Sequence, residues 1–118
     1  LASLAQAFSE RHLSNVKTWK DTLIRLHEEG KRIVVWGSGS KGVTFLNLVN
    51  GKEHIECVVD VNPRKHNLYT PCTAHHVVAP EDLGRIQPDV VVVMNPVYAD
   101  EIRSTLAGLG LEPQILFA

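Results

Sequence analysis

The spacing of apolar residues changes along the chain, and each change marks a boundary. Residues 1–29 contain no Gly or Pro, and Leu13, Val16, Leu23 and Leu26 recur at steps of three, seven and three. That spacing lays one apolar stripe along a helix, and Gly30 ends it. From Arg32 the pattern shortens. Arg32–Trp36 is an apolar, β-branched run bounded by glycine and reads as a buried strand. Val43–Val49 reads as a helix ended by Asn50-Gly51, and Ile55–Asp60 as a second strand. Val61–Ala74 has two prolines and no period, so it reads as loop. His75–Ala79 reads as a weak third strand, and Pro80 opens a short helix at a position proline tolerates. Asp89–Met94 is the clearest strand. Val97–Leu109 is a helix stopped by Gly110, and Gln114–Phe117 is a final strand.

Strands alternating with helices give a mainly parallel sheet with right-handed crossovers. Five strands in one small unit predict a three-layer, Rossmann-like α/β domain with strand order 3-2-1-4-5 and an N-terminal helix. The one candidate boundary separates residues 1–30, a helix or connector from a preceding domain, from a Rossmann-like domain at 31–118.

The strongest chemical signal is Gly37-x-Gly39-x-x-Gly42. Alone this motif is weak. Here it follows a predicted strand, opens a predicted helix and lies in a βαβ unit. The first glycine permits a tight turn, the second a close backbone approach, and the third close packing of helix on strand. The N–H groups of the helix start would face a bound anion. Lys41 adds a cation, and Ser38 and Ser40 either bond phosphate oxygens or cap the helix. The competing reading is a turn that serves packing alone. Asp60 ends the next strand, 18 residues after Gly42, where a carboxylate can accept a bond from a ribose hydroxyl.

Ligands of open α/β sheets bind outside the carboxyl ends of the strands. That criterion adds Asn62 and Lys65 after the second strand, and Asn95 and Tyr98 after the fourth. Asn62-Pro-Arg64-Lys65 faces a pyrophosphate or is a solvated turn. Asn95 either touches ligand or caps the last helix. Glu101 is either a site residue or, as the simpler reading has it, a first-turn carboxylate that complements the helix dipole. His66, in the long loop, is the best-placed acid–base candidate.

Composition narrows the function classes. The chain has 118 residues, 12 Lys+Arg and 13 Asp+Glu, for a net charge of −1. That balance argues against nucleic acid as the main ligand. No run of about 18 apolar residues exists to span a membrane. Six histidines and two cysteines share no zinc-ligand spacing, so no metal is expected. Cys57 lies in an apolar run and reads as a buried thiol, and the low cysteine count suits a reducing cytoplasm. The chain opens at Leu1 with charges rather than an apolar core, so it is not an intact signal peptide. We expect a piece of a longer protein.

These residues also carry a resemblance. Trp36–Asn47 (WGSGSKGVTFLN), Val58–Thr73 (VVDVNPRKHNLYTPCT), Pro80–Leu83 (PEDL) and Pro88–Ile102 (PDVVVVMNPVYADEI) resemble, in that order, the C-terminal domain of sugar C-methyltransferases. The resemblance spans about residues 8–117. It implies a three-part enzyme: a zinc-binding domain, an S-adenosylmethionine (SAM)-binding methyltransferase domain, and this one. The implied reaction is proton abstraction beside a keto carbon of a nucleotide-linked deoxysugar, then attack of the enolate on the methyl group of SAM. SAM and the catalytic residues would belong to the missing domain. The present chain would help hold the sugar nucleotide, carry no cofactor of its own, and be inactive alone. Two positions depart from the family pattern: Cys72 stands where glycine is usual, and His66-Asn67 where glycine is frequent. The alternatives are a stand-alone NAD(P)- or nucleotide-binding module and a structural domain with a vestigial site.

Overall fold

The computed structural model describes residues 10–12, 16–37, 39–49, 54–70 and 75–118. Leu13, Ser38, the Asn50-Gly51 helix end, Cys72 and the rest of the 71–74 segment lie outside the described residues. Six strands form one sheet: β1 (Glu10–His12), β2 (Ile33–Trp36), β3 (Cys57–Val59), β4 (Val77–Val78), β5 (Val90–Val93) and β6 (Gln114–Phe117). Among the described residues four α-helices accompany them: α1 (Val16–Glu28), α2 (Ser40–Leu48), α3 (Leu83–Ile86) and α4 (Ala99–Gly108).

The strand order is β1-β6-β5-β2-β3-β4, and every named pair is parallel. From β2 onward this is the expected 3-2-1-4-5 arrangement. The sixth strand was not expected. Glu10–His12 pairs with Ile115–Phe117, so the helix expected over 1–29 is confined to Val16–Glu28 in the described residues. A helix and a three-residue edge strand are hard to separate by periodicity, because β1 gains its hydrogen bonds from a partner more than a hundred residues away.

The sheet is buried on both faces, which is why its strands read as unbroken apolar runs. Alternate residues enter opposite layers. Ile33, Val35, Val58, Val90 and Val92 pack beneath α1 and α2, where Trp19, Leu23, Phe45 and Leu46 meet them. Trp19 and Phe45 cross edge to face at 4.9 Å and lock the two helices together. Val34, Cys57, Val59, Val91 and Val93 face α3 and α4, through Leu83, Ile102 and Leu106. No helix among the described residues is long and apolar enough to cross a membrane.

The segment expected as loop from Val61 has more order than its two prolines suggested. Pro63–Lys65 is a 3-10 turn. Residues 67–70 then run antiparallel to 75–77, through Asn67 N–H to Val77 O, Val77 N–H to Leu68 O and Thr70 N–H to His75 O. This ladder covers the free edge of β4. Asn67 enters it at φ +66°, in the left-handed region that Asn tolerates better than other side chains. Its place where the family often has glycine is thereby explained.

The turn after β2 sets how close α2 lies to the sheet. Gly37 has φ +125°, and a Cβ there would meet Met94 Cβ and Cγ at 3.3 Å. At Gly42 an added Cβ would collide with the carbonyl oxygen of Gly37. Helix α2 therefore begins at Ser40, within the glycine motif and earlier than the sequence pattern alone indicates.

Two outcomes follow for stability. Gly42→Ala should destabilise the fold by about 1–3 kcal/mol, the usual cost of overpacking; a urea melt measures it. The Cys57 thiol is raised from 9.0 to about 12, first by burial and then by the Glu56 carboxylate. Between those values the unfolded chain releases this proton and the folded chain keeps it, so stability falls as pH rises. Urea midpoints at about pH 8 and about pH 10.5 should therefore differ less in Cys57→Ala than in the parent chain. An equal difference in both would show that Cys57 is not the linked group.

Candidate functional site

The carboxyl ends of β2, β3 and β5 meet at one edge of the sheet, and a cleft of about 270 Å³ opens there. It sits between β2 and β5, whose following connections run to β3 and β6 on opposite sides, the position at which open α/β sheets bind ligands. Its floor is apolar: Trp36, Val93 and Met94 end the strands, and Ile102 rises from α4. Its polar lining comes from Asp60, Asn95, Tyr98 and Glu101. The volume is at the small end of ligand pockets, which run to roughly 300–1,000 Å³.

Three of the expected residues besides Gly37 line this cleft: Asp60, Asn95 and Tyr98. The others do not. Gly42 is occupied with packing against Gly37. Gly39 begins α2 in extended conformation, with no side chain capping the helix, and a Cβ added there would meet nothing within 4 Å. The fold thus requires the first and third glycines and leaves the second free. Lys41 is exposed, and of Ser40 only the backbone is described.

Asp60 organises its own loop. Its Oδ1 accepts from the Asn62 N–H at 2.8 Å, and Lys65 Nζ lies 3.9 Å from Oδ2. Asn62 Oδ1 in turn accepts from Arg64 N–H at 3.0 Å and caps the Pro63–Lys65 turn. His66 Nε2 donates to the Asp60 carbonyl oxygen at 2.6 Å. Asn62, Lys65 and His66 are therefore built into the support of Asp60 rather than into the cleft wall. Asn95 resolves similarly: its Oδ1 accepts from Val97 N–H at 3.1 Å and caps the 3-10 turn Pro96–Tyr98. That bond uses the carbonyl oxygen and leaves the amide N–H₂ beside the cleft.

The sequence reading weighed Glu101 as a site residue but preferred a helix-dipole role for it, and did not pick out Trp36, Met94 or Ile102. Glu101 lines the cleft as well as standing in the first turn of α4. The available signal was its distance from Tyr98, since residues three apart share a helix face. Trp36 and Met94 were hidden because they continue apolar strands. A second hollow of about 230 Å³ lies at the opposite, amino end of β2 and β3, where the His27 and His54 rings sit 4.9 Å apart. No group of three metal-ligating side chains occurs among the described residues.

Comparisons with known proteins agree with this architecture. No curated protein matches the sequence. Among solved structures, UDP-D-quinovosamine 4-dehydrogenase from Vibrio fischeri is similar, with TM-score 0.59 and 22% identity, over 74% of this chain and 76% of that one. RSP, a Rex-family repressor, is similar with TM-score 0.57 and 16% identity, over 88% of this chain and 61% of that one. The same repressor in complex with β-NADH gives TM-score 0.56 and 16% identity, over 88% and 62%. The chain thus spans less than two thirds of the repressor's length. At such identities these likenesses show the fold, which is Rossmann-like. A family model for the C-methyltransferase C-terminal domain matches residues 2–111. The chain belongs to the C-methyltransferase C-terminal domain family.

Proposed function

We propose that this domain forms the substrate-side wall of a SAM-dependent C-methyltransferase, and that its cleft helps hold a nucleotide-linked keto-deoxysugar. The observation that carries this reading is the cleft itself. Three strand ends and α4 converge on an apolar floor with polar groups at its rim, in a chain of this family. On this reading Asp60, Asn95 and Tyr98 orient the substrate by hydrogen bonds, and the apolar floor excludes water from one of its faces. Gly39 and Lys41 stand at the open start of α2, where backbone N–H groups attract phosphate oxygens. The freedom of Gly39 from any packing demand supports a role for that position outside the fold.

The cleft is too small to enclose SAM whole. SAM, which supplies the methyl group, is therefore assigned to the preceding methyltransferase domain together with the catalytic acid–base residues. This chain binds and orients, and it moves no proton. A cytoplasmic setting accords with the substrate class.

A nucleotide-binding module using NAD is the second reading, favoured by Asp60 at the end of β3. Two features weigh against it. One Asp60 oxygen already accepts from the Asn62 N–H, and the cleft accommodates one moiety of a dinucleotide rather than both.

Calorimetry with a dTDP-sugar, NAD and SAM separates the two. The expected result is measurable binding of the dTDP-sugar, weak or no binding of NAD and none of SAM. Micromolar NAD affinity without dTDP-sugar binding would reverse the ranking. Gly39→Val should abolish dTDP-sugar binding at an unchanged thermal midpoint, since the added side chain meets open space; undiminished binding would remove the turn from the site. The 118-residue chain should transfer no methyl group to a keto-sugar nucleotide by itself, and turnover in a radiolabelled-SAM assay would refute the division of labour.

A further inference from the structure

We propose that the cleft receives a neutral, hydroxyl-bearing ring of the nucleotide sugar, either its hexose or its pentose, and that Glu101 is the carboxylate that recognises it while the diphosphate stays outside. This rests on the nucleotide-sugar reading above and deepens it.

The charge of the lining carries the inference. Among the described residues, the carboxylates of the cleft are Asp60 and Glu101, and no Lys, Arg or His lines it. The nearby cations are engaged elsewhere. Lys65 Nζ lies 3.9 Å from Asp60 Oδ2, and Arg103 pairs with Asp100 at 3.0 Å. A phosphate entering such a cleft meets the Glu101 carboxylate, while Lys65 is already paired with Asp60. A polyol meets the opposite situation, because ionised carboxylates are pure acceptors and sugar hydroxyls are donors.

The remaining polar groups complete the match. Asn95 has given its oxygen to Val97 N–H, so it presents a donor amide. Glu101 has no hydrogen-bond or ion-pair partner among the described residues, nor does the Tyr98 hydroxyl. Acceptor, donor and phenol thus surround a floor of Trp36, Met94 and Ile102, which suits the C–H face of a sugar ring. The volume, about 270 Å³, suits one ring. Lys41 and Arg64 are exposed outside the cleft.

Charge reversal at Glu101 gives opposite signs for the two orientations. The 118-residue chain and its Glu101→Gln, Glu101→Lys and Asp100→Asn variants are titrated with a dTDP-hexose, dTDP and thymidine, followed by amide chemical shifts. Glu101→Lys should weaken dTDP-hexose binding by at least about tenfold, the scale of a hydrogen bond to a charged group. Glu101→Gln should weaken it less, because an amide oxygen still accepts. Asp100→Asn, the same charge change one residue away and outside the cleft, should leave it unchanged. If the ring is the pentose, which is 2′-deoxyribose in these probes, dTDP and thymidine lose affinity in parallel; if it is the hexose, they do not. Equal or tighter binding of the dTDP-hexose by Glu101→Lys would place phosphate in the cleft and overturn the inference while leaving the nucleotide-sugar reading intact. A parent chain that binds no dTDP-hexose would remove that reading, and the inference with it.

Discussion

The carbonyl oxygen of Gly37 occupies the space that a side chain at residue 42 would need. This one contact fixes the distance between α2 and the end of β2. It brings Phe45 and Leu46 down onto the sheet, where they join Trp19 and Leu23 in one layer. It also holds Gly37 in a left-handed conformation against Met94, and both residues then line the cleft. The close approach of helix to strand thus has two results from one cause. It completes the core on one face, and it shapes the upper edge on which a ligand can sit. The N–H of Gly37 donates to Val59 O at 2.8 Å, so the turn is tied to β3 as well and cannot tilt away without breaking the sheet.

The loop after β3 solves a different problem, that of holding a carboxylate still. Asp60 is one residue beyond the strand, and its side chain is 14% exposed. Three neighbours brace it: the Asn62 N–H at one oxygen, Lys65 near the other, and His66 at its backbone carbonyl. Proline at position 63 pre-sets the turn, and Asn62 caps it. What resembles a basic phosphate-binding motif in sequence is, in this geometry, largely scaffold. Glu101 is held in the opposite way, by the rigid start of α4 and by no partner among the described residues.

Much of this was legible in the sequence because it depends on local rules. Val90–Val93 could only be a doubly buried strand, and Gly37 and Gly42 sit at the spacing a strand–turn–helix demands. The order of five strands followed from right-handed crossovers. What failed depended on contacts distant in the chain. Glu10–His12 is a strand only because β6 offers a free edge. The ladder at 67–70 exists because β4 has an exposed edge to cover. The site divided in the same manner. Asp60, Asn95 and Tyr98 were found by the rule that ligands gather at strand ends. Asn62 and Lys65 satisfied that rule in sequence, yet their bonds turn inward to the loop, which position alone does not reveal.

A cleft of this size also bears on why such a domain would work as one wall of a larger site. Binding loses translational and rotational freedom, at a cost of about 4–15 kcal/mol. A pocket that surrounds a single ring recovers only part of that from apolar contact, even with several hydrogen bonds. With a net charge of −1 and two carboxylates in the lining, bulk electrostatics cannot supply the remainder by drawing in a phosphate. On the proposed reading the deficit is met by a second surface facing the first, so one wall binds weakly and affinity rises when both enclose the substrate. A wall that is weak alone then has a kinetic advantage. It can release the product when the enclosing domain moves away, since its own contacts never hold the ligand firmly.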